Sequence, residues 1–453
     1  MKKIVIIGGG AAGAKAASKA KRINPENSVE LHTDDTNISV SLCGLPYYIE
    51  GSVESLEKLI IRTPDDFKKN GITVYTNHKL NQIFPNENKV KINDLTVEYD
   101  ELILALGAIV RPISIKNKDI ENVFTLRSLE SAQKIREKML KSKSVLIIGG
   151  GYIALELTEA FVKNGLKVTI VEHNSRLMHD FDEDLSKIIQ NAIVTKFKDK
   201  IETYFNKDII KFTSNADNSF VSAVDNDGKQ YFADFCVMST GTIPNVEVAR
   251  QSGIKLGITG AIYVDNKLRT NYQNIFACGD CAEKYGILTH SPVYAGLGTI
   301  ANKEGRVAGI NASSEYHEVY DGILLSTVTR FFDYTLSKTG LTVQMALEYT
   351  KKMNMEPVSV TIHKKDKASY MPSSGEIVFK LVADKRSGEI LGAQSIGCAG
   401  NILQRINTIT SALQKRSTVD DLLYLDLPYA PPFSGSIDPV LTAAYKLKEL
   451  LDK

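Results

Sequence analysis

Two glycine-rich turns, each set between a short β-branched run and a helical pattern, constrain this chain more than any other feature. The first reads Gly8-Gly9-Gly10-Ala11-Ala12-Gly13, behind Ile4-Val5-Ile6-Ile7. The second reads Gly149-Gly150-Gly151-Tyr152-Ile153-Ala154, behind Val145-Leu146-Ile147-Ile148. One such turn alone is weak evidence; a strand before it and a helix after it give it a physical purpose. Glycine at Gly8, Gly10 and Gly13, and again at Gly149 and Gly151, lets the backbone approach a pyrophosphate whose charge then faces the helix N-terminus. Two dinucleotide-binding modules are therefore expected in one chain.

The first 320 or so residues repeat one plan. In the first module a helix runs from Ala11 to about Ile23. A strand Val29 to His32, a hairpin around Pro85 to Asn88 and a strand ending at Leu104 to Gly107 follow. In the second, a helix reaches about Asn164, the strand Lys167 to Val171 ends at Glu172, a hairpin turns at Asn226-Asp227-Gly228, and a strand ends at Met238 to Gly241. Alternating strand–helix–strand units imply parallel sheets with ligands at the strands' carboxyl ends. From about Thr327 the pattern changes to antiparallel strands, Val358 to His363 and Ile377 to Val382. Helical runs then cover Asn401 to Gln414 and Pro439 to Leu451. The fold class expected is α/β, with two Rossmann-like dinucleotide-binding domains plus a C-terminal α+β domain.

Composition removes several function classes. At 453 residues the chain has room for roughly three domains. Its 55 basic and 53 acidic residues generate no field to recruit nucleic acid or an anionic membrane. No apolar run approaches the roughly 20 residues needed to span a bilayer. Five scattered cysteines do not form a disulfide framework, so a reduced, cytoplasmic protein is expected. Cys278 and Cys281 have CxxC spacing. They lack both the thioredoxin-like context and the second pair that a zinc site needs, so no metal is expected.

The acid that ends the strand after a glycine turn usually takes the ribose hydroxyls. Glu172 holds that place in the second module and would repel a 2′-phosphate, which favours NADH, with NADPH possible. In the first module Thr33 stands there, and Asp34 just after it is the candidate. Between the two turns, Cys43 sits alone in SVSLCGLPYYIEG. Two nucleotide sites provide a route for electrons, and a lone thiol provides their destination. Such a thiol accepts electrons only when its oxidised state involves another molecule, as a mixed disulfide or a sulfenic acid.

The segment TNYQNIFACGD, Thr270 to Asp280, completes the pattern: the chain resembles the pyridine nucleotide-disulfide oxidoreductase family over essentially its whole length. The resemblance implies FAD in the first module, with Gly107, Gly241 and Gly279 at strand ends and Asp280 on the ribityl–phosphate region. It implies an FAD domain over 1–112 and 245–325, an inserted NAD domain over 113–244, and a dimerisation domain over 326–453. It also implies a helix from Pro292 to Asn311 facing the flavin, with Cys278 and Cys281 as incidental small residues. No second cysteine stands shortly after Cys43, since Gly44-Leu45-Pro46-Tyr47-Tyr48 contains none. The sequences CGLPYYI and PYAPPF resemble the coenzyme A-disulfide reductases of the family, and Ala11 replaces the histidine of its peroxidases and oxidases. From those reductases follow a homodimer with a shared active site, Tyr429 reaching the partner's Cys43, and Tyr370 beside it. Lys15, Lys19 and Arg22 lie on one face of the first helix, with Ser39 nearby, as groups for the coenzyme A phosphates. The small face, Ala16, Ala17 and Ala20, is expected against a sheet.

The sequence departs from those reductases at Leu42 and Phe433, and a fused rhodanese domain is not expected. The activity expected is FAD-dependent reduction of coenzyme A disulfide, persulfide or polysulfide by NADH, with Tyr152 gating the nicotinamide. The start of a helix near Cys43, together with an electron-poor flavin beside it, is expected to favour its thiolate. The alternatives are an NADH oxidase or peroxidase using a cysteine sulfenic acid, and a flavoprotein sensor without turnover.

Overall fold

The structure is a computed structural model that describes residues 1–398 and 400–453. Strand Lys3–Ile7, apolar and buried on both faces, is the centre of a five-stranded parallel sheet. Its order is Ile275–Ala277, Glu101–Leu104, Lys3–Ile7, Ser28–His32, Ile72–Tyr75. A continuous β-branched run suits such a doubly covered position. The second module builds a matching sheet around Ser144–Ile148, flanked by Lys167–Val171 and Cys236–Met238. Strand Ile275–Ala277 returns to the first sheet only after the second is complete, so the second module is an insertion. The chain leaves and re-enters through two short strands, Ala108–Val110 and Thr242–Pro244, which pair antiparallel. Each follows a glycine in left-handed conformation, Gly107 at φ +68° and Gly241 at φ +84°, a geometry that strains other residues.

Helix Ala11–Ile23 spans the expected residues. Its alanine face meets helix Gly298–Ser313 at very short range, rather than the sheet alone as expected. A Cβ on Gly305 would fall 2.2 Å from the Ala12 carbonyl oxygen, and one on Gly309 would fall 2.5 Å from that of Ala16. That second helix also starts later than Pro292. Ser291–Val293 is a strand paired with Lys284–Gly286, a short two-stranded ribbon where proline's missing donor is tolerated.

The C-terminal region is a five-stranded antiparallel sheet, ordered Thr327–Phe331, Tyr334–Gly340, Ile390–Gly397, Glu376–Asp384, Pro357–Lys365. Helices Ile402–Gln414 and Pro439–Leu451 contribute to its apolar core. The inserted module is stitched to this sheet by half-buried and buried charges. Lys380 Nζ lies 3.2 Å from Asp182 and 2.6 Å from Asp184, and Lys338 Nζ lies 3.0 Å from Asp180. Among the described residues, no helix is long and apolar enough to cross a membrane.

Candidate active site

Cys43 lies in a 3-10 turn, Leu42–Gly44, that runs directly into helix Leu45–Glu50. Pro46 suits the first helical turn, and Gly51 at φ +103° ends the helix. The thiol is exposed and free, whereas Cys236, Cys278 and Cys281 are buried; exposed Cys398 belongs to the C-terminal domain. The protein groups around Cys43 pull against the thiolate expected from the helix start. Although the residue is exposed, partial loss of solvent at the sulfur pushes the Cys43 thiol up, and the carboxylates of Glu156 and Asp280 push in the same direction. A six-residue helix and one backbone contact do not offset them.

Glu156 was not singled out in the sequence. It stands one turn beyond Tyr152 on helix Tyr152–Lys163 and accepts a hydrogen bond from Thr329 Oγ1 at 3.0 Å. Burial raises its carboxyl above the ordinary range. The far end of the thiol helix is tied down by charge. Glu50 pairs with Lys163, and Arg330 bridges Glu50 at 3.2 Å and Glu159 at 2.9 Å. Three bodies meet there: the thiol helix, the inserted module and the C-terminal sheet.

Both glycine turns are tight cradles. A Cβ on Gly8 would sit 2.1 Å from the Ala105 oxygen and one on Gly13 would sit 1.9 Å from the Gly8 oxygen, while Gly10 is open. Gly149 would meet the Ser239 oxygen at 2.3 Å, and Gly151 is open. Glu172 is buried, and its Oε1 accepts from the Asn174 N and Nδ2 at 2.6 Å each. Its Oε2 lies 3.0 Å from the Cβ that Gly150 lacks. Thr33 packs the same way on Gly9, with Oγ1 at 3.1 Å, while Asp34 just after it is exposed.

Asp280 occupies the turn Gly279–Cys281, facing Gly296, where a Cβ would come 3.3 Å from its carboxyl. Burial holds its carboxyl above the usual range against the pull of Lys284 and Arg127. The turn is anchored from below by a fully buried pair, Lys284 and Glu304 at 2.9 Å, and Glu304 also accepts from the Gly279 N at 2.8 Å. A desolvated carboxylate beside an open glycine cradle suits a ligand that brings hydroxyls and a pyrophosphate, as FAD does. The Tyr152 hydroxyl donates to Asp180 Oδ2 at 2.7 Å and meets Thr327 Oγ1 at 2.6 Å, so any swing of the ring breaks both contacts.

On the first helix Lys15 and Lys19 are half-buried and Arg22 is exposed. Arg62 approaches from the other side. Its Nη1 donates to Ser18 Oγ at 2.8 Å, and its guanidinium lies 4.4 Å over the Phe67 ring. Burial and the neighbouring Arg22 both lower its pKa. Ser39 links the two regions: its N donates to the Gly9 oxygen at 2.8 Å, and its carbonyl accepts from the Ile61 N at 3.0 Å. Tyr370 and Tyr429 are exposed on the C-terminal domain and adjacent to one another. Partial loss of solvent, then the Tyr429 hydroxyl, raise the Tyr370 phenol.

The family profile described as pyridine nucleotide-disulphide oxidoreductase matches residues 2–302, and the profile of that family's dimerisation domain matches residues 326–440. The chain is a pyridine nucleotide-disulphide oxidoreductase. The NAD(P)H sulfur oxidoreductase (CoA-dependent) of Pyrococcus abyssi is 36% identical over 99% of this chain and 98% of its own. An NADH oxidase of Methanocaldococcus jannaschii is 31% identical over 100% of both chains. The solved NAD-dependent persulfide reductase of A. fulgidus superposes with a TM-score of 0.94 at 34% identity, covering 99% of this chain and 84% of that one. The oxidoreductase family uses FAD and NAD(P)H, and this member carries the dimerisation domain. Cys278 and Cys281 are buried within apolar clusters on either side of the turn.

Proposed function

We propose that this oxidoreductase uses NADH to cleave the sulfur–sulfur bond of a coenzyme A disulfide or persulfide through Cys43. The observation that supports this reading is an exposed thiol, with no second cysteine close behind it, that feels the carboxylates of Asp280 in the first module and Glu156 just beyond the second glycine turn. The CoA-dependent and persulfide-reducing relatives support the substrate class. When bound, FAD supplies hydride acceptance from NADH and delivery of two electrons to sulfur. Gly8, Gly10, Gly13, Asp280 and Asp34 would hold it, with Gly107 and Gly279 shaping its walls. Gly149, Gly151, Glu172 and Gly241 would hold NADH, with Tyr152 over its nicotinamide pocket.

The Cys43 sulfur attacks one sulfur of RS–SR. That S–S bond breaks, RS⁻ departs and takes a proton, and a Cys43–S–S–R mixed disulfide remains. Two electrons then break the mixed disulfide, releasing the second RS⁻ and returning Cys43 as thiolate. The balance is NADH + H⁺ + RSSR → NAD⁺ + 2 RSH, and with a persulfide the products are RSH and H₂S. Lys15, Lys19, Arg22 and Ser39 bind the coenzyme A phosphates. Tyr370 and Tyr429 of one chain donate protons or hydrogen bonds beside the partner's Cys43, which makes the homodimer the working unit. Five free cysteines suit a reducing cytoplasm.

Anaerobic NADH consumption started by coenzyme A disulfide or persulfide tests the reading. Strict dependence on oxygen instead assigns the NADH oxidase activity carried by the Methanocaldococcus relative's name. Mass spectrometry of the unreduced protein gives an independent answer: a coenzyme A adduct on Cys43 is expected, and added oxygen atoms alone contradict it.

A further inference from the structure

Arg405 lies on the buried side of helix Ile402–Gln414, 4% exposed. Its Nε donates to both carboxylate oxygens of Asp438, at 3.2 and 3.0 Å, and its Nη2 donates to the Asp366 carbonyl at 2.8 Å. Each partner closes one tyrosine loop. Asp366 and Gly375 pinch the loop bearing Tyr370. The Asp366 N donates to the Gly375 oxygen at 3.0 Å, and the Gly375 N donates to Asp366 Oδ1 at 2.8 Å. Asp438 ends the segment bearing Tyr429, accepting from Ser434 Oγ and from the Val440 N at 2.9 Å each. Asn401, at the head of the same helix, donates to the Phe433 carbonyl at 2.9 Å. One guanidinium therefore spans the roots of two loops whose tips bring Tyr370 and Tyr429 together. Burying a cation there is costly, and an apolar side chain would fill the space at lower cost. What the arginine adds is a planar fork reaching two loops at once, which lysine cannot reproduce.

We propose that Arg405 is a positioning residue for the sulfur half of the reaction, fixing the Tyr370 and Tyr429 loops against each other so that both phenols meet the disulfide at the partner's Cys43. The proposal rests on the role given to the two tyrosines above. Its test uses the FAD-loaded dimer and coenzyme A disulfide without oxygen. Arg405→Lys is compared with a variant that strands no buried charge, Arg405→Met with Asp438→Asn, and with the pair Tyr370→Phe, Tyr429→Phe. In both Arg405 variants kcat/KM for the disulfide falls about 100-fold, the scale of a 1 Å misplacement. The rate of flavin reduction by NADH and the dimer mass stay unchanged.

In the Tyr370→Phe, Tyr429→Phe background, Arg405→Lys adds no further loss, as expected of groups that act as one unit. Losses that multiply in that background overturn the proposal, and so does normal turnover by a folded, dimeric Arg405 variant while the tyrosine pair is impaired. Full activity of the tyrosine pair alone overturns the reading of the tyrosines, and the proposal with it. Where Arg405→Lys does not fold, the Arg405→Met, Asp438→Asn protein carries the same expectations.

Discussion

The protein groups around Cys43 push its thiol up: partial loss of solvent, Glu156 and Asp280 all disfavour the thiolate. The sign of the pH dependence follows. In FAD-depleted, reduced protein, alkylation of Cys43 by iodoacetamide lags that of a free thiol at pH 7 and catches up only at higher pH. Glu156→Gln removes one of the opposing carboxylates, so its alkylation profile shifts toward lower pH; an unmoved profile means Glu156 does not act on the sulfur. A second prediction concerns Tyr152. Replacing it by Phe keeps the ring and removes the contacts to Asp180 and Thr327. At about 0.5–1.5 kcal/mol each, their loss makes opening easier, and NADH binding tightens about tenfold in anaerobic stopped-flow measurements. Weaker or equal binding contradicts the gate. The sequence pointed to Glu172 by its place at the end of the strand after a glycine turn, and to Cys43 as a lone thiol between the two turns. Glu156 was within reach of the same logic, four residues beyond Tyr152 on one helix face. Its bond to Thr329 was not, since 173 residues separate the partners.

Elements with their own punctuation were readable: helix Ala11–Ile23 opens behind glycine, and Pro439–Leu451 is capped by Asp438 with proline at its first position. The start of Gly298–Ser313 was expected too early, at Pro292, because a strand covers Ser291–Val293 and no side chain caps the true start. What helix Ala11–Ile23 packs on was also hidden, since small residues suit a sheet and a helix equally. The close contact gives a third prediction. In Gly305→Ala the new methyl meets a backbone oxygen that no rotamer change can move. Stability falls by about 1–3 kcal/mol by denaturant unfolding, and flavin retention falls with it, because the displaced helix begins at the first glycine turn. A variant as stable as the parent shows that the helices separate freely.

Over the whole molecule, the repeat of two modules could be read from the chain, but the seams between bodies could not. Glu50, Lys163 and Arg330 are ordinary surface charges until folding brings them together, and the same holds for Lys380 with Asp182. The proposed sharing of the active site between two chains makes a fourth prediction at this scale. Cys43→Ser chains and Tyr370→Phe, Tyr429→Phe chains are each impaired. Mixed and allowed to exchange at random, half the dimers are hybrids, and each hybrid has one intact site. About a quarter of the parent activity returns. No recovery in demonstrated hybrids places each site within a single chain.

The neck formed by Ala108–Val110 and Thr242–Pro244 has a mechanical implication. Adjacent strands leaving one body would by themselves act as a hinge pin and let the nicotinamide-binding half rock as a block. Lys338 and Lys380, clasped to Asp180, Asp182 and Asp184 on the far side, give that half a second point of attachment. A body pinned at two separated places does not rotate freely, so on the proposed reading access to the nicotinamide pocket falls to a small door, the Tyr152 ring, rather than to movement of the walls.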